Sequence, residues 1–407
     1  MPQDNGLVKA QYTNYAYPEP IADISDWINS GNYQCGDPSR IDALIWPEGR
    51  KRENLKILIA GCGTYQAAVY AYNNPDSKVV GIDISEESLK HQAYLKTRHN
   101  LANLELVPLD LLAASSLNEK FDLIISTGVL HHLPDPEAGL KSLASVLAPD
   151  GRIFLMLYGK SRRIGVYLLQ DIFRRLAVPQ TKEGIDFVKE VIGALPKHHY
   201  ANHYIREASD LLTDAGLVDT FLHPQDKAYS VSEIFDLINS VPQLRFQSWM
   251  DNSAYFPEYS IPESSALYKR IIDLPWRDQW QVVDNINLYS GCHFFIVRNE
   301  NDSNEFIQDE MDLVNLERYI PVRHIALNYL GKVTQKNAEM HGYKRENAHF
   351  HVSDAEHIVI SMMNGSRNIF SLMKDDCFSK FEQEIVRNFI IRLVVLLWKM
   401  GHIYLKS

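Results

Sequence analysis

Two adjacent histidines, His131 and His132, follow the apolar run "FDLIIST" (121–127) and Gly128. A second polar group, His223, Gln225, Asp226 and Tyr229, is compressed into "FLHPQDKAYS" (221–230) around Pro224. Imidazole and carboxylate side chains in a short turn are suited to moving a proton to or from a reacting group. His131 or His132 is therefore a candidate base, with pocket shaping or support of the Pro134-Asp135-Pro136 turn as the competing role. For the 221–230 loop, in which His223 and Asp226 are candidate catalytic groups, the competing role is to cap the helix that follows it.

A further set of residues suits a nucleotide-like ligand. Gly61-Cys62-Gly63 ends the apolar run "LKILIA" (55–60) and opens into a helical pattern, so backbone N–H groups can approach a ligand closely. Asp83 stands 22 positions after Gly61, at the end of "KVVGIDI" (78–84), where a carboxylate can accept from both hydroxyls of an adenosine ribose. Asp110 closes "LELVPLD" (104–110), placed to face an adenine amino group. Strand-end aspartates often just cap the next helix. With Ser126-Thr127-Gly128 at the end of the 121–127 run, four such signals in order, at the ends of successive strands, point to one site. Tyr65 and Gln66 stand where a third glycine would complete a dinucleotide turn, which counts against a pyrophosphate ligand.

The elements that must hold these residues alternate strand and helix. The three runs above, then 121–127 and "RIFLMLY" (152–158), are continuous apolar stretches, as strands buried on both faces of a parallel sheet require. Helical spacing follows each of the first two, with Ser85 as the N-cap of the second helix. "LRFQSWM" (244–250) and "CHFFIVRN" (292–299) add a sixth and a seventh strand. The expected fold is α/β, a doubly wound seven-stranded sheet with a helical insertion and a small α+β C-terminal domain. The expected divisions are an N-terminal lid over 1–50, the cofactor-binding core over 51–160 and a helical insertion or substrate lid over 161–228. The last helix and strands of the catalytic domain follow over 229–300, and an accessory domain over 301–407, with the polar stretch 299–312 as linker.

The order ILIAGCGT, VVGIDIS, PLDLL, FDLIISTGVLHHLPDP, LAPDGRIFLMLY resembles the class I S-adenosylmethionine-dependent methyltransferases, specifically over about 55–158. The resemblance implies the seven-stranded methyltransferase sheet, S-adenosylmethionine as cofactor and S-adenosylhomocysteine as product. By it, Gly61, Cys62, Gly63, Asp83, Ile84, Asp110, Leu111, Thr127 and Gly128 are cofactor residues. Ile84 packs on the adenine, and residues 127–130 line the sulfonium. Where the family often carries an acid before the first glycine, this chain has Ala60. "NYAYPEP" (14–20) and "NYQCGDP" (32–38) are similar to N-terminal lid segments of related enzymes, which makes Tyr15, Tyr17, Tyr33 and Tyr158 candidate lid and wall residues. Gln225 and Tyr229 join them as substrate-side candidates. The implied activity is methyl transfer to a small molecule or a peptide or protein side chain, against a non-catalytic cofactor-binding role. The tail (313–407) is similar to a winged-helix module, whose expected uses are peptide binding or dimerisation.

Bulk properties narrow the partners. Fifty-one acidic against 41 basic residues give a net charge of −10, which disfavours a nucleic-acid backbone; "GKSRRIG" (159–165) is the best candidate for a local basic patch. Cys35, Cys62, Cys292 and Cys377 form no CxxC pair, as in a reducing compartment. The N-terminus lacks an apolar signal region, and "FIIRLVVLLWKM" (389–400) is too short to span a bilayer, so a cytoplasmic protein without membrane contact is expected. His199 and His203 lie four apart near His198, where a helix would place them on one face, yet nothing local completes a recognisable metal motif, and no metal site is expected.

Overall fold

The computed structural model describes residues 6–49, 53–287, 291–302, 307, 310–335, 338–346 and 348–407. It divides into two compact units: Met1–Ser39, Arg52–Phe246 and Leu288–Asp302 form the first, and Arg40–Lys51, Gln247–Asn287 and Ser303–Ser407 the second.

β1 (Lys56–Ala60), β2 (Lys78–Asp83), β3 (Leu104–Pro108), β4 (Phe121–Thr127), β5 (Leu147–Tyr158) and β7 (Cys292–Asn299) of the first unit, with β6 (Leu244–Trp249), whose last three residues are counted in the second, build one sheet, ordered β3-β2-β1-β4-β5-β7-β6. Neighbours from β3 to β5 run parallel, and β7 is antiparallel to β5. Ile57, Leu58 and Ile59 of β1 are fully buried, as expected of a central strand covered on both faces. The order reverses between β1 and β4, which places a crevice at the carboxyl ends of the strands. Gly81 lets the helix that follows β1, α2 (Gln66–Asn73), close on β2: a Cβ there would meet the Ala67 Cβ at 2.7 Å. The helix after β2, α3 (Glu86–Arg98), begins at Ser85, whose hydroxyl accepts from Ser88 N at 3.2 Å.

Further helices complete the first unit. An N-terminal helix, α1 (Gly6–Asn14), comes first in the chain. After β5, α4 (Ile164–Arg175), α5 (Lys182–Ala194) and α6 (Ala201–Glu207) form the helical insertion around their own core of Val166, Phe173, Val188 and Phe221. Then α7 (Val231–Asn239) starts at a capping box formed by Ser230 and Glu233.

The second unit takes residues 40–51 and 247–287, which the sequence reading assigned to the lid and the catalytic domain. Aromatic packing accounts for this: Trp249 meets Trp280 edge-on at 5.7 Å, and Trp276 and Phe256 pack on Trp398 at 5.6 and 5.7 Å. Gln247 also donates to the Leu44 and Ile45 carbonyls. The tail contributes β8 (Ile320–Arg323), an antiparallel meander of β9 (Leu327–Gln335), β10 (Ala338–Arg345) and β11 (Ala348–Val352), then α8 (Asp354–Met362), α9 (Ile369–Met373), α10 (Gln383–Lys399) and β12 (Ile403–Lys406). The tail's helices thus run to one long helix and a short final strand. The winged-helix arrangement is not evident: the meander precedes the helices, and β12 pairs with β8 rather than opening a hairpin. Of the 299–312 linker, residues 303–306 and 308–309 lie outside the described residues.

Candidate functional site

A cavity of about 690 Å³ occupies the crevice of the first unit, within the range of small-molecule sites. One end is the glycine loop. Gly61 and Gly63 have φ of +78° and +52°; a Cβ on Gly61 would lie 2.3 Å from Val129 Cγ2, and one on Gly63 2.9 Å from the Tyr17 carbonyl. Both positions thus require glycine for conformation and for space. Asp83 ties this loop to β2: Oδ2 accepts from Gly63 N and Oδ1 from Ser85 N, each at 2.8 Å. Burial raises the Asp83 carboxyl above its usual range, opposed by these backbone donors. Asp110 caps its turn through Leu112 N at 2.9 Å. Gly61, Cys62, Gly63, Asp83, Ile84, Asp110, Leu111, Thr127 and Gly128 all line the cavity, so the nine expected cofactor residues come together. Tyr65 also lines it, its ring packed against Trp27 at 5.4 Å, and Gln66 donates to Thr127 Oγ1 at 2.9 Å.

The other end is built around His132. Its Nδ1 lies 2.9 Å from the Gln225 carbonyl, which only accepts; Nδ1 therefore carries the proton and Nε2 a lone pair. The His132 ring stacks on His223 at 3.8 Å between centroids. His223 is held in the opposite tautomer, because Gln225 N–H donates to its Nδ1 at 3.0 Å. Its Nε2 stands 3.4 Å from the Tyr12 hydroxyl, which donates to Asp219 Oδ1 at 2.9 Å. Asp219 also accepts from the Tyr158 hydroxyl at 3.2 Å and from Gln11 Nε2 at 3.5 Å. Burial, then the Asp219 charge, holds the Tyr12, Tyr17 and Tyr158 hydroxyls well above their usual pKa, so they remain protonated donors. Burial and the neighbouring His132 push His223 well below the ordinary imidazole value.

Of the sequence-predicted substrate-side residues, His132, Tyr17 and Tyr158 line the cavity. His131 does not: its ring stacks on Tyr158 at 3.8 Å, its Nδ1 accepts from Tyr158 N at 3.3 Å, and burial drives its pKa well down. Asp226 is also set back. Its carboxylate pairs with Arg163 at 2.8 Å and accepts from Gln170 at 2.8 Å and Tyr167 at 3.2 Å, tying the loop to the insertion. Gln225 acts through its backbone. Tyr229 is a strand-like connector, its N–H donating to the Tyr158 carbonyl at 2.8 Å. Tyr15 donates to the Gln180 carbonyl within the insertion core, and Tyr33 is exposed. The presumed basic patch is neutralised internally: Arg162 pairs with Glu207, and Arg163 with Asp226. His199 precedes α6 while His203 lies within it and pairs with Glu207, so the two do not share one helix face as ligands.

Sequence reasoning missed Tyr12, Tyr204, Asp210 and Asp219, all on the cavity wall. Asp219 carried a signal: a lone acid inside the apolar run "GLVDTFLH" is 2% exposed. No helix among the described residues is long and apolar enough to cross a membrane.

Comparison with known proteins agrees with this geometry. Residues 51–201 match the family model described as "Methyltransferase domain". An uncharacterized protein of Synechococcus sp. is 29% identical over 65% of this chain and 64% of its own length. A ubiquinone biosynthesis O-methyltransferase of Idiomarina loihiensis is 28% identical over 40% of this chain and 61% of its own length. The matched regions thus span just under two thirds of these relatives. The structure of PKMT2 from Rickettsia typhi superposes with a TM-score of 0.61, at 16% identity, over 89% of this chain and 73% of that one, and so shares the fold.

Proposed function

We propose that this chain, which carries a methyltransferase domain, transfers the methyl group of S-adenosylmethionine to an acceptor seated between His132 and the tyrosines of the insertion side. The observation that carries the reading is one continuous cavity with the glycine loop, Asp83 and Asp110 at one end and an unpartnered imidazole nitrogen at the other. Two glycines with no room for a side chain and a carboxylate at the end of β2 fit the methionine and ribose portions of the cofactor. When bound, the cofactor supplies an electrophilic methyl: the acceptor's lone pair forms the new bond to carbon, and the carbon–sulfur pair stays on sulfur.

The chain's own residues do the rest. Gly61 and Gly63 offer backbone groups, and Asp83 accepts from the ribose hydroxyls while holding the loop. His132 Nε2 takes the acceptor's proton, and Gln225 fixes the tautomer that leaves this lone pair available. The buried wall excludes water and orients the acceptor. The acceptor is a small molecule or a peptide or protein side chain. A purely regulatory role has less support, because it gives no use to the imidazole nitrogen that His132 leaves without a hydrogen bond at the cavity wall.

Calorimetry with S-adenosylhomocysteine tests the cofactor half: Asp83→Ala should weaken binding by about 1.5–3 kcal/mol, the range for hydrogen bonds to a charged group. For the base, His132→Gln should lower kcat by ~10²–10⁴-fold while leaving that affinity intact. Absence of product binding by the unaltered chain would end the methyltransferase reading.

A further inference from the structure

Among the described residues, His132, Asp219 and His223 are the one group whose ligand atoms approach within 4.8 Å of one another, all three buried. Two histidines and a carboxylate suit a divalent transition metal by type. The hydrogen bonds point elsewhere. Gln225 N–H occupies His223 Nδ1, so the neutral ring keeps its proton on Nε2, the nitrogen nearest Tyr12. Coordination there would place a proton on Nδ1 against that N–H.

What the cavity lacks is a counter-charge. Asp219 receives only the neutral donors Gln11, Tyr12 and Tyr158. Asp210, on the same wall, receives the Tyr17 hydroxyl at 3.5 Å. Neither forms an ion pair among the described residues. The arginine that lines the cavity, Arg162, is committed to Glu207, and Arg163 behind Tyr158 to Asp226. A carboxylate withdrawn from water without an opposite charge is costly, so a ligand that brings one is favoured. Tyr12, Tyr17 and Tyr204 on the cavity wall offer rings and hydroxyls suited to a cation, while Tyr158, its ring covered by His131 and Arg163, adds its hydroxyl.

We infer that the acceptor is a protonated amine, held by Asp219 and Asp210 between these tyrosines and deprotonated by His132. One N–H bond of the ammonium breaks, its proton passes to Nε2, and its electron pair remains on nitrogen as the nucleophile. This assignment rests on the methyltransferase reading of the same cavity.

The test titrates the full chain, saturated with S-adenosylhomocysteine, with n-butylamine, with 1-butanol as its neutral counterpart, with Nα-acetyl-lysine methylamide and, after chelator treatment, with zinc chloride. At least one amine should bind tenfold or more tightly than the alcohol. Asp219→Asn should weaken it by tenfold or more while retaining product affinity, and Asp210→Asn provides the same reading should the first variant not fold. Which amine binds distinguishes a small free amine from a peptide side chain; binding of neither overturns the inference. So does an alcohol that binds equally, or stoichiometric zinc that Asp219→Asn abolishes and amines do not displace. If Asp219→Asn weakens S-adenosylmethionine but not S-adenosylhomocysteine, the carboxylate serves the sulfonium and the inference falls. Failure of the unaltered chain to bind S-adenosylhomocysteine sinks the methyltransferase reading separately.

Discussion

Asp226→Asn separates an anchor from a catalytic acid. The Asp226 side chain is fully buried, and the Arg163 side chain is 1% exposed. The amide keeps the shape but removes the charge and turns an N–H group toward a site surrounded by donors from Arg163, Gln170 and Tyr167. The guanidinium is left with the Tyr158 ring, 3.6 Å from its centroid, and the Tyr204 hydroxyl at 3.1 Å. Breaking one partner of a buried pair costs about 3–5 kcal/mol, whereas replacing both by apolar residues is often neutral. Asp226→Asn should therefore destabilise the first unit by about that amount, and Arg163→Met with Asp226→Leu should recover most of it. Urea unfolding read by hydrogen exchange resolves this unit's peptides from the rest. Turnover should follow stability, falling in the single variant and returning in the double one. A single variant of unchanged stability that has lost turnover, not regained in the double, would refute the anchoring role and make Asp226 a catalytic group.

Two other outcomes can be checked on the same unit. Gly61→Ala should cost ~1–2 kcal/mol for an L-residue in the left-handed region and ~1–3 kcal/mol for the clash with Val129. Val129→Ala should relieve only the second part, so full rescue in denaturant unfolding would contradict the strain argument. His293, 2% exposed and donating to the Tyr229 carbonyl at 3.0 Å, is pushed down to about 4 by burial. Its folded value lies below the unfolded one, near 6.5, so its contribution is complete above pH ~6.5 and is lost as pH falls towards 4, up to about 3 kcal/mol. His293→Gln should flatten that acid limb. A first unit equally stable at pH 7 and 4.5 would remove the basis for this.

The sheet was legible because its strands are the simplest kind of signal. A strand covered on both faces is a run of apolar residues, and Ile57, Val79, Leu123 and Phe154 read as such with no tertiary knowledge. The cofactor half followed, since Asp83 and Asp110 take their places from strand ends alone. The acceptor half is assembled from α1, β5, the insertion and the 221–230 loop, so its parts lie up to 211 positions apart, as Tyr12 and His223 do. No local pattern encodes that meeting. Asp226 was misleading for a related reason: a carboxylate near histidines in sequence faces an arginine in space. The second unit's share of 247–287 was hidden because Phe256 and Trp276 find their partner, Trp398, in α10, more than a hundred positions downstream.

Gln225 gives the site its polarity without lending a side chain. Its carbonyl makes His132 a proton acceptor towards the cavity, and its N–H makes His223 a proton donor towards Tyr12 and Asp219. One residue's backbone thus wires two like rings in opposite senses. The wiring uses only the 225 backbone, so a proline there removes the N–H and frees His223 to adopt the tautomer of its neighbour. The pair would then offer two lone pairs to the same ligand, and a site arranged for an ammonium would become one better suited to a metal ion.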